Sequence, residues 1–207
     1  MEVPHGTIPQ LDHDLEAQRL AGVSEDSIQA SYFLTIKNEG STPFDKIKYI
    51  DKFPVGDSAV AFIDPSYTGG DYTALTIMKA HFEGVAVIGF TYKKAWNHCL
   101  EEMIPHLLRC NVKRLAFETN NLGDQPVTML QGMLSGAGIG VVGKVSTLQK
   151  HSKIMSAGSF AHLIHLSRES DKIYTDQVAQ YEYKSKHDDA PDSLASCLEW
   201  IGLIRGK

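Results

Sequence analysis

The sequence predicts an α/β fold, a mixed β-sheet of an antiparallel meander plus parallel strands with helices on both faces. Three observations carry that expectation. Strand-like runs at 58–63, 72–79 and 84–92 follow one another across links too short for a crossover, which only antiparallel neighbours allow. Beyond them, strand-sized apolar runs alternate with helical patterns, as parallel pairing through crossover helices requires. The chain then closes on a helical pattern opened by Pro191, a residue suited to a first turn.

Each element follows in order. The run 58–63 is apolar and ends on Asp64, and Pro65-Ser-Tyr-Thr-Gly-Gly-Asp71 makes the turn after it. In 72–79, β-branched residues alternate on one side, and 84–92 supplies the third strand. Trp96, Leu100, Ile104 and Leu107 recur at helical spacing, so 94–109 is an amphipathic helix. A fourth strand covers 112–117, a second helix 126–134 ends near the glycines at 136–140, and a fifth strand covers 141–145. A helix is expected over 150–163, a short edge strand over 177–183, and a final helix over 191–204 with Leu194, Leu198 and Ile201 on one face.

Residues 1–45 differ from the rest. The stretch 11–20 has some helical character, 24–33 suits a short capped helix, and polar 37–43 reads as loop or linker. The expected division is therefore an N-terminal arm over 1–45 and one globular domain over 46–207. A hydrophobic content of 43% with 22% charged residues suits a soluble globular chain. Apolar runs such as 84–90 fall far short of the ~18 residues that span a bilayer. The first twenty residues are polar and acidic, unlike a secretory signal, so neither membrane insertion nor secretion is expected. Three cysteines (Cys99, Cys110 and Cys197), odd in number and without metal-ligand spacing, read as small core residues in a reducing cytoplasm. The net charge of -5 gives no support to strong autonomous DNA binding, though it leaves room for a local basic groove.

Three acidic clusters punctuate this pattern: Asp64 in Ala-Phe-Ile-Asp-Pro, Glu118 in Leu-Ala-Phe-Glu-Thr-Asn-Asn, and Asp188-Asp189 in His-Asp-Asp-Ala-Pro-Asp. A carboxylate at the end of a buried strand is destabilising by several kcal/mol if unpaired. Placing the first and fourth strands side by side brings Asp64 and Glu118 to one sheet edge, and the last helix delivers Asp188 and Asp189 there, where its dipole favours negative charge. Converging carboxylates call for hard divalent cations, Mg²⁺ or Mn²⁺, and a pair of them suits phosphodiester hydrolysis. Plainer readings exist for each cluster alone. Asp64 before Pro65 can simply open a turn, Glu118 can be a surface acid, and Asp188, Asp189 and Asp192 can be cap and first-turn acids. Order and topology together favour a shared site.

The segments Phe62-Ile-Asp64-Pro-Ser-Tyr-Thr-Gly-Gly-Asp71-Tyr-Thr-Ala, Phe117-Glu118-Thr-Asn-Asn-Leu-Gly123 and His187-Asp188-Asp189-Ala-Pro-Asp192-Ser-Leu-Ala resemble the nuclease domain of the terminase large subunit of tailed bacteriophages, over about residues 50–204. That resemblance implies a ribonuclease-H-like fold and a metal-dependent endonuclease that cuts concatemeric double-stranded DNA during viral genome packaging. It implies that Asp64, Glu118 and one or both of Asp188 and Asp189 hold two Mg²⁺ or Mn²⁺ ions. Asp71 matches a recurrent acid after the first hairpin, and capping the Gly69-Gly70 turn is its equally weighted alternative. Asp192 reads as a surface acid or one supporting the ligands, and His187 as a residue that orients a carboxylate or touches phosphate. Lys144, Lys150 and Lys153 stand where similar terminases carry a basic segment, so they either bind DNA or form a solvated helix face.

Gly138-Ile-Gly-Val-Val-Gly-Lys144-Val145 comes close to a phosphate-binding P-loop, but Val145 replaces the Ser/Thr that would hold Mg²⁺, and the segment does not link a strand to a helix. No ATP site is expected. Since complete large terminases carry an ATPase motor, the expectation is a C-terminal nuclease half whose arm leads toward the motor. The small terminase subunit and the portal become its implied partners, and the host bacterial cytoplasm its implied location, without retention in the virion. Two alternatives remain: another ribonuclease-H-like nuclease of resolvase or transposase type, and a docking module for portal or motor without turnover.

Overall fold

The computed structural model describes residues 42–204 except 83, 121–122, 147 and 183–184. The helices expected over 11–20 and 24–33, and most of the arm, lie outside the described residues. Among the described residues, seven strands form one sheet: β1 (Lys48–Ile50), β2 (Ala59–Asp64), β3 (Thr73–His81), β4 (Gly84–Tyr92), β5 (Val112–Glu118), β6 (Gly140–Lys144) and β7 (Ile164–Ser167). Their spatial order is β1-β7-β4-β3-β2-β5-β6. The meander β2-β3-β4 is antiparallel, and the pairs β2/β5, β5/β6, β4/β7 and β1/β7 are parallel. This is the mixed sheet that the sequence pattern predicts.

Among the described residues, five α-helices cover the sheet: α1 (Leu100–Arg109), α2 (Gln125–Leu134), α3 (Lys150–Gly158), α4 (Lys172–Ala179) and α5 (Asp189–Trp200). The period of two along each strand sorts side chains between two cores. Ala61, Ile63, Leu75, Ile77, Leu115 and Phe117 pack with α1 and α2 through Met103, Leu107 and Leu130. Phe62, Met78, Val87 and Ala116 face the other way and pack with Ile154 of α3, Tyr174 of α4 and Leu194 and Leu198 of α5. The three cysteines are free and buried. Phe44, inside the stretch assigned to the arm, is buried in the second core.

Several expectations change. The helix expected over 150–163 ends at Gly158; a 3₁₀ turn (Ala161–Leu163) follows and leads into β7, a strand that was not foreseen. The short β1 was not foreseen. The edge strand expected over 177–183 is not there among the described residues, because Gln177 belongs to α4. Asp171 caps that helix by accepting from the backbone N–H of Tyr174 at 2.6 Å, and it also accepts from the N–H of Thr91. Tyr174 and Val178, four residues apart, then bury one face. Tyr174 lies flat over β4 at Gly89, where an added Cβ would come within 2.2 Å of the ring, so only glycine fits. Its hydroxyl pairs with Thr76 Oγ1 at 2.7 Å. The near-P-loop is ordinary sheet: Gly140 to Lys144 form β6 itself.

Candidate metal centre

Asp64 and Glu118 end two adjacent parallel strands. Phe62 pairs with Ala116 and Ile63 with Phe117, so the next residues along, Asp64 and Glu118, emerge together at the carboxyl ends. In open α/β sheets this is where ligands bind. Both carboxylates follow the alternation of Phe62 and Ala116 and therefore face α3 and α5 rather than α1 and α2.

The third acid is Asp192. Helix α5 begins at Asp189, two residues earlier than expected, so Asp192 sits about one turn inside it and is only 5% exposed. Ligand atoms of Asp64, Glu118 and Asp192 lie within 4.8 Å of one another. The surface reading of Asp192 does not hold, because the whole of α5 from Asp189 to Leu198 is buried against the sheet. A signal was present: Asp189 and Asp192 stand at i and i+3, which places them on one helix face.

Asp189 joins a second group. Ligand atoms of Asp71, His187 and Asp189 also lie within 4.8 Å of one another. His187 Nδ1 is 3.3 Å from Asp71 Oδ1, and the His187 ring stands edge-on to Tyr72 at 5.3 Å. The turn from Asp64 to Asp71 is braced: Ser66 N–H donates to Thr73 Oγ1 (3.0 Å), and the N–H of Trp96 donates to Ser66 O (2.9 Å). Gly69 takes φ +73° there, and an added Cβ would come within 3.1 Å of the Ala95 backbone nitrogen. Asp188, at the N-cap position of α5, makes no cap hydrogen bond; its Oδ1 instead meets Lys150 Nζ at 2.6 Å.

The three lysines separate. Lys153 is 1% exposed, its Nζ 2.7 Å from Asp192 Oδ1, 2.6 Å from Ser196 Oγ and 3.2 Å from Ser146 Oγ. It is an internal counter-charge. Lys150 Nζ lies among Asp188, Asp189 and Asp192. Lys144 is exposed at the end of β6, in register with Glu118. Asn120 links the loops, donating from Nδ2 to Glu118 Oε1 at 2.6 Å while its Oδ1 accepts from the Ser146 N–H at 2.8 Å. Sequence reasoning passed over Asn120, Ser146 and Ser196, whose roles depend on contacts between distant segments.

Electrostatics single out the acids. Burial, and then the negative charge of Asp192, push the Asp64 carboxyl well above its ordinary range. Burial also raises Glu118. Asp189 is pushed up to about 7 by burial and by a hydrogen bond shared with Asp71. For Asp71, burial acts upward, but the hydrogen bonds with Asp189 and His187 outweigh it and hold this carboxyl below its usual value. Burial draws the Lys150 ammonium downward, and Asp192, Asp64 and Asp188 more than reverse that. Raised carboxyl groups in a water-poor cleft mark charge in need of a cation. Among the described residues, Glu118 Oε2, Asp189 Oδ2 and Asp192 Oδ1 are buried without a hydrogen-bond partner, as oxygens left for a metal would be. Two oxygen-rich groups, one of them with an imidazole, fit Mg²⁺ or Mn²⁺.

The fold has relatives among solved structures. The large terminase of a thermophilic bacteriophage aligns with a TM-score of 0.53 at 11% identity, over 77% of this chain and 45% of that one. The large terminase nuclease of thermophilic phage G20c, with bound zinc, aligns with a TM-score of 0.51 at 15% identity, over 76% of this chain and 96% of that one. The human cytomegalovirus terminase nuclease domain, Mn-soaked and inhibitor-bound, aligns with a TM-score of 0.53 at 15% identity, over 75% of this chain and 90% of that one. This chain therefore has the ribonuclease-H-like fold of large terminase nuclease domains. It spans less than half the length of the first of these proteins, the whole large terminase. No protein-family model and no curated protein matches the sequence.

Proposed function

We propose that this chain is a Mg²⁺- or Mn²⁺-dependent endodeoxyribonuclease, the nuclease domain of a genome-packaging large terminase that cuts concatemeric double-stranded DNA. The observation that carries the reading is the convergence of Asp64, Glu118 and Asp192 at the carboxyl ends of β2 and β5, on a fold shared with terminase nucleases.

Asp64, Glu118 and Asp192 would hold one cation, and Asp71, His187 and Asp189 a second. Bound divalent cations supply Lewis-acid stabilisation of phosphoryl charge and an attacking water of lowered pKa. The chain's own residues do the rest. Lys153 neutralises and orients Asp192, and Asn120 orients Glu118 through Oε1 while leaving Oε2 free to ligate. Exposed Lys144 stands beside Glu118, where a DNA phosphate could be met. Asp188 is given to Lys150 and supports the ligands from outside. The ATPase motor, small terminase subunit and portal are the partners this reading requires, with the host bacterial cytoplasm as its location. Among the described residues no helix is long and apolar enough to cross a membrane.

Nicking of supercoiled plasmid with Mn²⁺ or Mg²⁺ tests the proposal. Asp64→Ala is expected to abolish nicking with an unchanged circular dichroism spectrum, and full activity in that variant would sink it. Strong preference for branched junctions over linear duplex would move the assignment to a resolvase.

A further inference from the structure

Two ammonium groups enter the acidic cluster from α3, and they are held differently. Lys153 is enclosed, with oxygens of Asp192, Ser196 and Ser146 at 2.7, 2.6 and 3.2 Å. It donates to the two serine hydroxyls and pairs by charge with Asp192, so the group is committed. Lys150 is not. Its side chain is 39% exposed, and among the described residues only Asp188 Oδ1, at 2.6 Å, lies within hydrogen-bond reach. Asp192 Oδ2 at 3.6 Å and Asp189 Oδ1 at 4.0 Å hold it by charge alone.

The position of Lys150 is telling in two ways. It touches Asp192 of the group with Asp64 and Glu118, and Asp189 of the group with Asp71 and His187, so one cation spans both groups. It is also the first residue of α3, where the helix dipole disfavours positive charge. The carboxylates, rather than the helix, keep it there. A divalent ion on Asp192 or Asp189 would face this ammonium at close range, and like charges at such separations repel strongly.

Resting on the reading of the cluster as a divalent-metal centre, we infer that Lys150 is an exchangeable internal counter-cation. Its ammonium holds Asp188, Asp189 and Asp192 together in the metal-free protein and leaves Asp189 and Asp192 when a divalent ion enters. Its flexible, part-exposed stem permits that movement, and the enclosure of Lys153 forbids it there. Lys150 thereby sets the metal affinity of the site against the stability of the empty protein.

Calorimetric titration with Mn²⁺ alone, on the wild type, Lys150→Gln and Lys150→Arg, tests this directly. Lys150→Gln is expected to bind Mn²⁺ roughly tenfold tighter, the order that loss of one nearby positive charge implies, and to melt at a lower temperature without metal. Lys150→Arg keeps the charge and should stay near the wild type. A second measurement needs no variant: in a Mg²⁺ titration followed by NMR, the Lys150 Cε–H resonance should shift while that of Lys153 stays. Unchanged or weaker Mn²⁺ binding by Lys150→Gln, or an immobile Lys150 resonance in a protein that does bind metal, overturns the inference alone. Absence of metal binding in all three proteins overturns it together with the metal-centre reading.

Discussion

Against α1 and α2 the sheet presents Leu75, Ile77, Leu115 and Phe117, whereas at the carboxyl ends of β2 and β5 the opposite face turns Asp64 and Glu118 toward α3 and α5. The first face is hydrocarbon on hydrocarbon. The second begins the same way, with Phe62 and Ala116 on Leu194 and Leu198, and then gives way to carboxylates and ammonium groups beside the buried hydroxyls of Ser193 and Ser196. Apolar packing there holds α5 in place, and the helix carries Asp189 and Asp192 onto the strand ends. The difference teaches that stability and chemistry share one helix but not one turn of it.

The contrast breaks most sharply at Lys153. Lys153→Met strands the buried Asp192 carboxylate, and removing one partner of a buried ion pair destabilises by about 3–5 kcal/mol. Adding Asp192→Leu should recover much of that loss in urea unfolding. If the single variant is as stable as the wild type, the pair contributes nothing. On the apolar face, Leu107→Ala, at a site 1% exposed, should lower unfolding free energy by about 2–5 kcal/mol. Mn²⁺ affinity should stay unchanged in that variant, because α1 lies across the sheet from the acids. A large change in metal binding there would mean that the two faces are not separable.

The third effect is in pH. Asp189 is raised from an ordinary carboxylate value to about 7 in the folded protein, so the fold binds its proton more tightly than the unfolded chain does. The stabilisation this gives is complete below the unfolded value near 4 and is lost as pH rises toward about 7. Metal-free wild type should therefore lose melting temperature across that window relative to Asp189→Asn. Saturating Mg²⁺ should narrow the difference. Parallel pH profiles for the two proteins would refute the shift.

Much of this was legible beforehand, for reasons that differ by element. The strands β2 to β5 carry β-branched and apolar residues in strand-sized runs bounded by turn residues, so local pattern sufficed to find them. In α4 the decisive signal was a single capping aspartate, Asp171, and a run read for alternation missed it. Strand β7 was missed because its four residues, Ile164–Ser167, are too few to show an alternation, and its pairing with β4 and β1 is long-range. Asp64 and Glu118 were found as carboxylates that end apolar runs. Asp192 was underrated because the burial of a helix face depends on what the helix lies upon.

By itself the sequence determined the mixed sheet, its antiparallel meander and the acidic strand ends, since these follow from periodicity and short links that act locally; that β2 lies beside β5 was only a possibility there, because a parallel pair is closed by a long crossover. Only the tertiary structure decided how the third cluster divides: Asp192 to Asp64 and Glu118, Asp189 to Asp71 and His187, Asp188 to Lys150. It also separated Lys153, enclosed as a counter-charge, from Lys150, held by charge at the mouth of the site. The physical reason is that residues one to four apart on a helix share composition and spacing. What distinguishes them is the direction each side chain takes once the helix is docked, and docking is set by contacts from more than a hundred residues away, such as Ser193 Oγ on Thr76 Oγ1 at 2.8 Å across 117 positions.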